Sequence, residues 1–320
     1  MLVAAEPFIS RNIHPTIVVR ACYKALESAL RICRDIAVPI DINNREEVMK
    51  LLRSTIGTKF SSRFGDLIVS IFPPFHIVRS CLRQRDDHHE HHNSTEIDIK
   101  RYIRVEKLPG GELSESRVLK GIMLNKDVTH ASMRRRIENP RVVLLDCSLE
   151  YIKPESVAAM EINDADAWDK ALKNEEEAVK KMCDAIIALH PDLVITEKGV
   201  SDLAQHYLVK ANITAIRRVR KSDNNRLAKA TGATIVHRPD ELVESDIGTQ
   251  CGLFEVRQIG DEYFAFIEEC RNPKACSVLL RGGSKDALNE IERNLQDAMQ
   301  VARNVVFDPY LLPGMGVSLM

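Results

Sequence analysis

Asp297 is the residue of this chain whose placement most invites chemistry. It stands inside residues 289–304, where apolar and polar side chains alternate with the period of a helix. Fifteen residues further on comes Leu312-Pro313-Gly314-Met315-Gly316, a turn sequence punctuated by glycine. Spacing alone leaves Asp297 open to two readings, a working carboxylate or an ordinary solvated one, and favours the second.

Other clusters invite and then resist chemical readings. Asp86-Asp87-His88-His89-Glu90-His91-His92 offers imidazoles, which suit transition metals. The stretch 72–95 around it shows no sustained period, so it reads as irregular and exposed, without the fixed geometry a metal site needs. Asn93-Ser94-Thr95 matches a glycosylation acceptor, but the first ten residues lack the basic start and cleavage site of a secretory leader. Arg134-Arg135-Arg136 and Arg217-Arg218-Val219-Arg220-Lys221 are basic clusters without the interleaved aromatics of an RNA-binding surface. A solvated face, an inter-subunit patch or a contact for an acidic client fits them better than nucleic acid. No nucleophile motif of the Ser-His-Asp or Cys-His kind is present, and His206 in Gln205-His206-Tyr207 reads as a packed or surface histidine. Thr196-Glu197-Lys198-Gly199 has one glycine where a dinucleotide fold has three, and no P-loop occurs.

Composition sets the frame for these residues. The chain has 320 residues, room for two or three domains of roughly 100–200 residues each. With 44% hydrophobic and 28% charged residues it has the make-up of a globular protein. A net charge of −1 gives no general attraction to nucleic acid or anionic membrane. No apolar run approaches the roughly 18 residues of a membrane span. Aromatics make up 5%, so the core must rest on Leu, Ile, Val and Ala. Eight cysteines, none in a CxxC pair, read as buried thiols rather than zinc ligands.

The elements that position these residues follow from periodicity. Val18, Cys22, Ala25, Ala29, Ile32 and Ile36 line one face of a helix over 16–37, stopped before Pro39. Asn43 or Asn44 caps a helix over 45–56, and a third helix is expected over 58–71. Ile97-Asp98-Ile99 and Tyr102-Ile103-Arg104-Val105 alternate like strands, followed by a turn at Pro109-Gly110-Gly111. Val142-Val143-Leu144-Leu145 is a buried strand. Residues 152–166 form a protruding loop, and 168–189 a helix with Trp168, Leu172, Val179, Met182, Ile186 and Leu189 inward. Residues 192–236 read as β-α-β-α-β, the pattern of a parallel sheet covered by helices. Strands over 253–256, 263–267 and 276–280 lead through Gly282-Gly283 into the helix of Asp297. The chain thus leaves a helical base, builds a distal α/β unit and returns.

Several stretches together resemble a known family. They include Val105-Glu106-Lys107-Leu108-Pro109-Gly110-Gly111, Asn125-Lys126-Asp127-Val128-Thr129-His130 and Asp192-Leu193-Val194-Ile195-Thr196-Glu197-Lys198-Gly199. Ala215-Ile216-Arg217-Arg218-Val219-Arg220-Lys221, Asp223-Asn224-Asn225-Arg226 and Glu292-Arg293-Asn294-Leu295-Gln296-Asp297-Ala298-Met299 belong with them. These are similar to group II chaperonins of the eukaryotic cytosol, and within them to the gamma-type subunits, over nearly the whole chain outside 72–95.

The resemblance implies an α/β and α multidomain fold with nested equatorial, intermediate and apical domains. Residues 1–39 would belong to the equatorial domain, 40–119 and 284–305 to the two halves of the intermediate domain, and 120–283 to the apical domain. The helical protrusion would lie near 152–172, and 306–320 would begin a second equatorial segment. ATP and Mg2+ are the implied cofactors, with no other metal. Asp297 would position the attacking water. Gly314 and Gly316 would let backbone approach the nucleotide, since glycine has no Cβ. Gln205, His206, Arg217, Arg220, Asn224 and Arg226 would contact clients. The implied partners are other ring subunits in the cytoplasm and unfolded proteins such as actin and tubulin, with no membrane.

This sequence also departs from the family pattern. The family's Asn-Asp-Gly turn and Gly-Asp-Gly-Thr-Thr loop, which hold phosphates and magnesium, have no counterpart. Met315 stands where the family has the middle glycine of Pro-Gly-Gly-Gly, and 72–95 replaces a helix. A chain truncated at both ends by a fragmentary gene, mis-splicing or a gene-model error is the expectation. It should not hydrolyse ATP alone and should expose Val18, Ala25 and Ile32. A nucleotide-independent client-binding fragment is the alternative, and a nucleic-acid binder the remoter one.

Overall fold

A computed structural model describes residues 2–42, 44–57, 82–84, 95–151, 165–312 and 314. The expected helix over 58–71, the His block, Asn93 and Ser94 of the acceptor motif, residues 152–164 of the protruding loop, and Gly316 lie outside these described residues.

The chain opens with two helices, α1 (Leu2–Ser10) and α2 (Pro15–Ile36). Pro15 at the first turn of α2 has φ preset for a helix, and His14 accepts a hydrogen bond from the Thr16 amide. No residue of α2 is buried; Ala25 and Ile32 are exposed and Val18 half-buried. A short strand β1 (Val38–Pro39) follows, then α3 (Arg45–Gly57). Asn44 Oδ1 accepts the Glu46 amide at 3.1 Å, so Asn44 supplies the expected cap.

Two strand expectations need correction. Within 72–95, β2 (Leu82–Gln84) pairs antiparallel with β3 (Thr95–Ile97), so this stretch is not irregular throughout. The alternation at Ile97–Ile99 ends early, because Asp98 caps a one-turn helix α4 (Ile99–Tyr102) by accepting the Arg101 amide at 3.1 Å.

Beyond it, β4 (Ile103–Pro109), β5 (Arg117–Leu119), β6 (Ile122–Leu124), β7 (Arg136–Glu138) and β8 (Val142–Leu145) lead to the long helix α5 (Ala165–Ile187). Val179, Cys183 and Ile186 of α5 are buried as the period requires. Trp168 and Leu172, expected inward, are exposed. A helical period names a face, but among the described residues it is the C-terminal half of this one that packs, chiefly against α6 (Asp202–Lys210).

The β-α-β-α-β segment comprises β9 (Leu193–Thr196), α6, β10 (Thr214–Ile216), α7 (Lys221–Thr231) and β11 (Ile235–Val236). With β8 it forms an all-parallel sheet in the order β10-β9-β8-β11. Every residue of β8, β9 and β10 is buried, as expected for strands covered on both faces. Gly232 ends α7 at φ 75°, where a side chain would be strained.

The hairpin β12 (Leu253–Ile259) and β13 (Glu262–Glu268) joins β6 and β7 in a second, antiparallel sheet, burying Phe254, Phe264 and Phe266. A third sheet sets β14 (Cys276–Gly282) parallel to β4 and antiparallel to β5. Ser284 then caps α8 (Lys285–Phe307), accepting the Ala287 amide at 3.2 Å. Finally β15 (Tyr310–Leu311) pairs with β1, Val38 opposite Leu311, so the chain returns to its starting region.

Candidate functional site

Asp297 lies at mid-length of α8. Leu288, Ile291, Leu295, Ala298 and Ala302 recur three or four apart and are buried, with α3 packed on the same helix. Asp297 falls on the other side and is exposed. Lys107 Nζ on β4 donates to Glu292 Oε2 at 2.6 Å and Asn289 Oδ1 at 2.8 Å, tying α8 to the third sheet. Gly314 is exposed in the turn after β15, with open space where a Cβ would stand. Among the described residues no group of three His, Cys, Asp or Glu converges as metal ligands. One exposed carboxylate and one open glycine do not by themselves compose a site for ATP and Mg2+.

The six residues expected to contact clients divide sharply. His206 on α6 and Arg217 and Arg220 before α7 are exposed. Gln205, Asn224 and Arg226 are buried and turned into the fold. Gln205 Nε2 donates to Val200 O at 3.2 Å and Asp202 Oδ1 at 3.1 Å. Asn224 Nδ2 donates to Glu197 Oε1 at 2.9 Å. The cause is helix geometry: Asp223, Asn224, Arg226, Leu227, Ala230 and Thr231 share the side of α7 that packs inward. Gln205 Nε2, Asn224 Nδ2 and Arg226 find partners inside the fold, while Asn224 Oδ1 is buried with no hydrogen-bond partner among the described residues.

Arg226 belongs to an ion-pair network that sequence reasoning missed. Arg104 Nη1 on β4 donates to Asp223 Oδ1 at 2.8 Å and Oδ2 at 3.0 Å. Arg226 Nη1 reaches the same carboxylate at 2.5 Å, while its Nε donates to Arg101 O at 2.8 Å. Glu106 pairs with Arg104 from the same strand face. Burial pushes the Arg226 pKa down and Asp223 opposes that shift. The one sequence signal was Arg104 and Glu106 two apart on a strand, which places them on one face. Beside the network opens a cleft of about 420 Å³ lined by Arg104, Glu106, Lys126, Arg220 and Asp223.

The two basic clusters also part ways. Arg134 pairs with Asp192 at 3.0 Å, Arg135 with Asp127 at 3.1 Å, and Arg136 with Glu255 at 3.5 Å. Arg217, Arg218, Arg220 and Lys221 are exposed, with no acidic partner among the described residues. Of the described cysteines, Cys183, Cys251, Cys270 and Cys276 are buried and none is in a disulfide.

Comparison with known proteins fits this architecture. A family model described as the TCP-1/cpn60 chaperonin family matches residues 1–320. The chain is 59% identical to T-complex protein 1 subunit gamma of Thalassiosira weissflogii, covering all of this chain and 58% of that protein. It is 56% identical to the subunit of the same name in Schizosaccharomyces pombe and 53% identical to that in Saccharomyces cerevisiae, again over its whole length, covering 59% and 60% of them. It therefore spans somewhat over half the length of these relatives. A solved open-state monomer of a group II chaperonin from Methanococcoides burtonii superposes with a TM-score of 0.72 at 28% identity, covering 99% of this chain and 70% of that one. No helix among the described residues is long and apolar enough to cross a membrane. From its first residue to its last, the chain belongs to the TCP-1/cpn60 chaperonin family.

Proposed function

We propose that this chain is a gamma-type chaperonin subunit that binds unfolded proteins and, within a hetero-oligomeric ring in the cytoplasm, takes part in their ATP-dependent folding. The observation that carries this reading is the family match over the whole chain together with relatives named T-complex protein 1 subunit gamma. In this reading 1–39 and 306–320 belong to the equatorial domain, 40–119 and 284–305 to the intermediate domain, and 120–283 to the apical domain. Asp297 is the family's hydrolytic carboxylate, Gly314 and Gly316 belong to the nucleotide loop, and actin and tubulin are among the clients. The intact parallel sheet supports client binding by the apical part, since about 160 residues are enough for a core of their own.

As the polypeptide stands, a second reading has its own support. Its support is the parallel sheet of the α/β part, whose strands are buried and paired without any nucleotide, so in this reading the chain alone binds clients without turning over ATP. Co-purification tests the first reading: the chain should sediment with other ring subunits, and sedimentation alone would contradict it. Phosphate release tests the second: the purified chain should release none, and turnover that vanishes in Asp297→Ala would contradict it.

A further inference from the structure

Of the two basic clusters in this chain, one is neutralised by the fold and the other is left bare. Each arginine of Arg134-Arg135-Arg136 has a carboxylate partner. Arg217, Arg218, Arg220 and Lys221 have none among the described residues, and neither do the nearby Lys198 and Lys126. The bare cluster is also held in place. Val219 is buried and its amide donates to Thr196 O at 3.0 Å. Arg218 takes φ 54° and its amide donates to Lys198 O at 3.0 Å. The backbone is thus fixed while the cationic side chains face outward, so little ordering remains to oppose binding.

Two further features extend this ridge. Arg220 and Lys126 also line the cleft of about 420 Å³ beside the buried network. Its two carboxylates, Asp223 and Glu106, are already engaged by Arg104 and Arg226. No side chain caps the N-terminus of the 11-residue helix α7, which begins at Lys221. Its free amides add to the positive field there.

We propose that residues 217–221, with Lys198 and Lys126, bind an extended acidic peptide segment, one carboxylate of which enters the cleft between Arg220 and Lys126. This rests on the client-binding reading above and names the class of client it selects. The chemistry favours a peptide over nucleic acid, because neither 217–221 nor α7 carries an aromatic side chain on which bases would stack. The Asp and Glu side chains of an unfolded segment meet the cations without needing such platforms, and charge complementarity of this kind selects partners.

The test is fluorescence anisotropy on the full chain at low salt. The probes are a labelled twelve-residue peptide alternating Glu with Gly and Ser, its Gln counterpart, and a uridine dodecamer. The Glu peptide should bind at least about tenfold tighter than the Gln peptide, and raising the salt should erase the gap. The triple variant R217Q/R220Q/K126Q should lose that preference, whereas Arg136→Gln should keep it. The exposed single variants Arg217→Gln and Arg218→Gln, each expected to weaken binding about twofold to threefold, carry the test if the triple variant fails to fold. Equal binding of the two peptides, an unchanged preference in the variants, or tighter binding of the uridine dodecamer would overturn the proposal. If a denatured protein is captured without any Glu-over-Gln preference, only this inference fails; if neither binds, the client-binding reading fails with it.

Discussion

Arg104 and Asp223 lie 119 residues apart in sequence and meet through two contacts of 2.8 and 3.0 Å from one guanidinium nitrogen. The pair fastens β4 of the third sheet to α7 of the parallel sheet. Asp223 serves Arg226 as well, so with Glu106 on Arg104 two carboxylates balance two guanidinium groups in a setting with little water. Replacing Asp223 with Asn leaves Arg226 without its carboxylate and Arg104 with Glu106 alone. Urea unfolding should show a loss of about 3 kcal/mol. The double variant Arg104→Met, Asp223→Asn should recover part of that loss. A cost below about 0.5 kcal/mol for Asp223→Asn would show that the network adds little.

Gly121 joins β5 to β6 at φ 157°, and a Cβ there would stand 1.8 Å from Ile267 O. The strand β13 cannot retreat without giving up its pairing with β6. Gly121→Ala should therefore cost on the order of 3 kcal/mol in urea unfolding. A variant as stable as the parent would show that the two strands separate freely.

Ser284 holds the first turn of the helix that carries Asp297. Ser284→Ala should cost about 1 kcal/mol in thermal unfolding, and Ser284→Gly less. Equal losses in both variants would mean that the hydroxyl is not the cap.

Much of this architecture was legible in local sequence, because local chemistry decided it. The apolar run Val142-Val143-Leu144-Leu145 could only be a covered strand. Ser201 caps one helix through its hydroxyl and Gly232 ends another in left-handed geometry, both of them local chemistry. What failed depended on distant partners. Trp168 and Leu172 fit a helical stripe, but they are exposed among the described residues. Asn224 and Arg226 have surface chemistry, yet Glu197 holds the Asn224 amide nitrogen, and Asp223 and the Arg101 carbonyl hold Arg226, inside the fold. The split between the basic clusters was equally hidden, since Asp192, Asp127 and Glu255 are remote from one another in sequence. Asp297 was found through family resemblance, and its exposed position agrees with what spacing alone suggested.

Burial pushes the Cys183 thiol up from 9.0 to about 11, with Asp184 adding to the shift. A raised thiol holds its proton more tightly in the folded chain than in the unfolded one. Its contribution to stability is thus fully present below the unfolded pKa near 9.0 and is lost as pH rises towards 11. The stability gap between the parent and Cys183→Ala should stay constant up to that lower value and narrow above it. A gap that widens with pH in calorimetry would reverse the assigned sign.

The central claim of the proposal is that the α/β part captures unfolded chains, and that the chain by itself, outside a ring, does so without ATP. It is tested most directly by light scattering from chemically denatured actin diluted into the purified chain, with and without ATP and Mg2+. The account predicts suppressed aggregation, equal in the two conditions and weakened by replacing Arg217 and Arg220 with Gln. Aggregation that proceeds as if the chain were absent, or suppression that appears only with ATP, would contradict it.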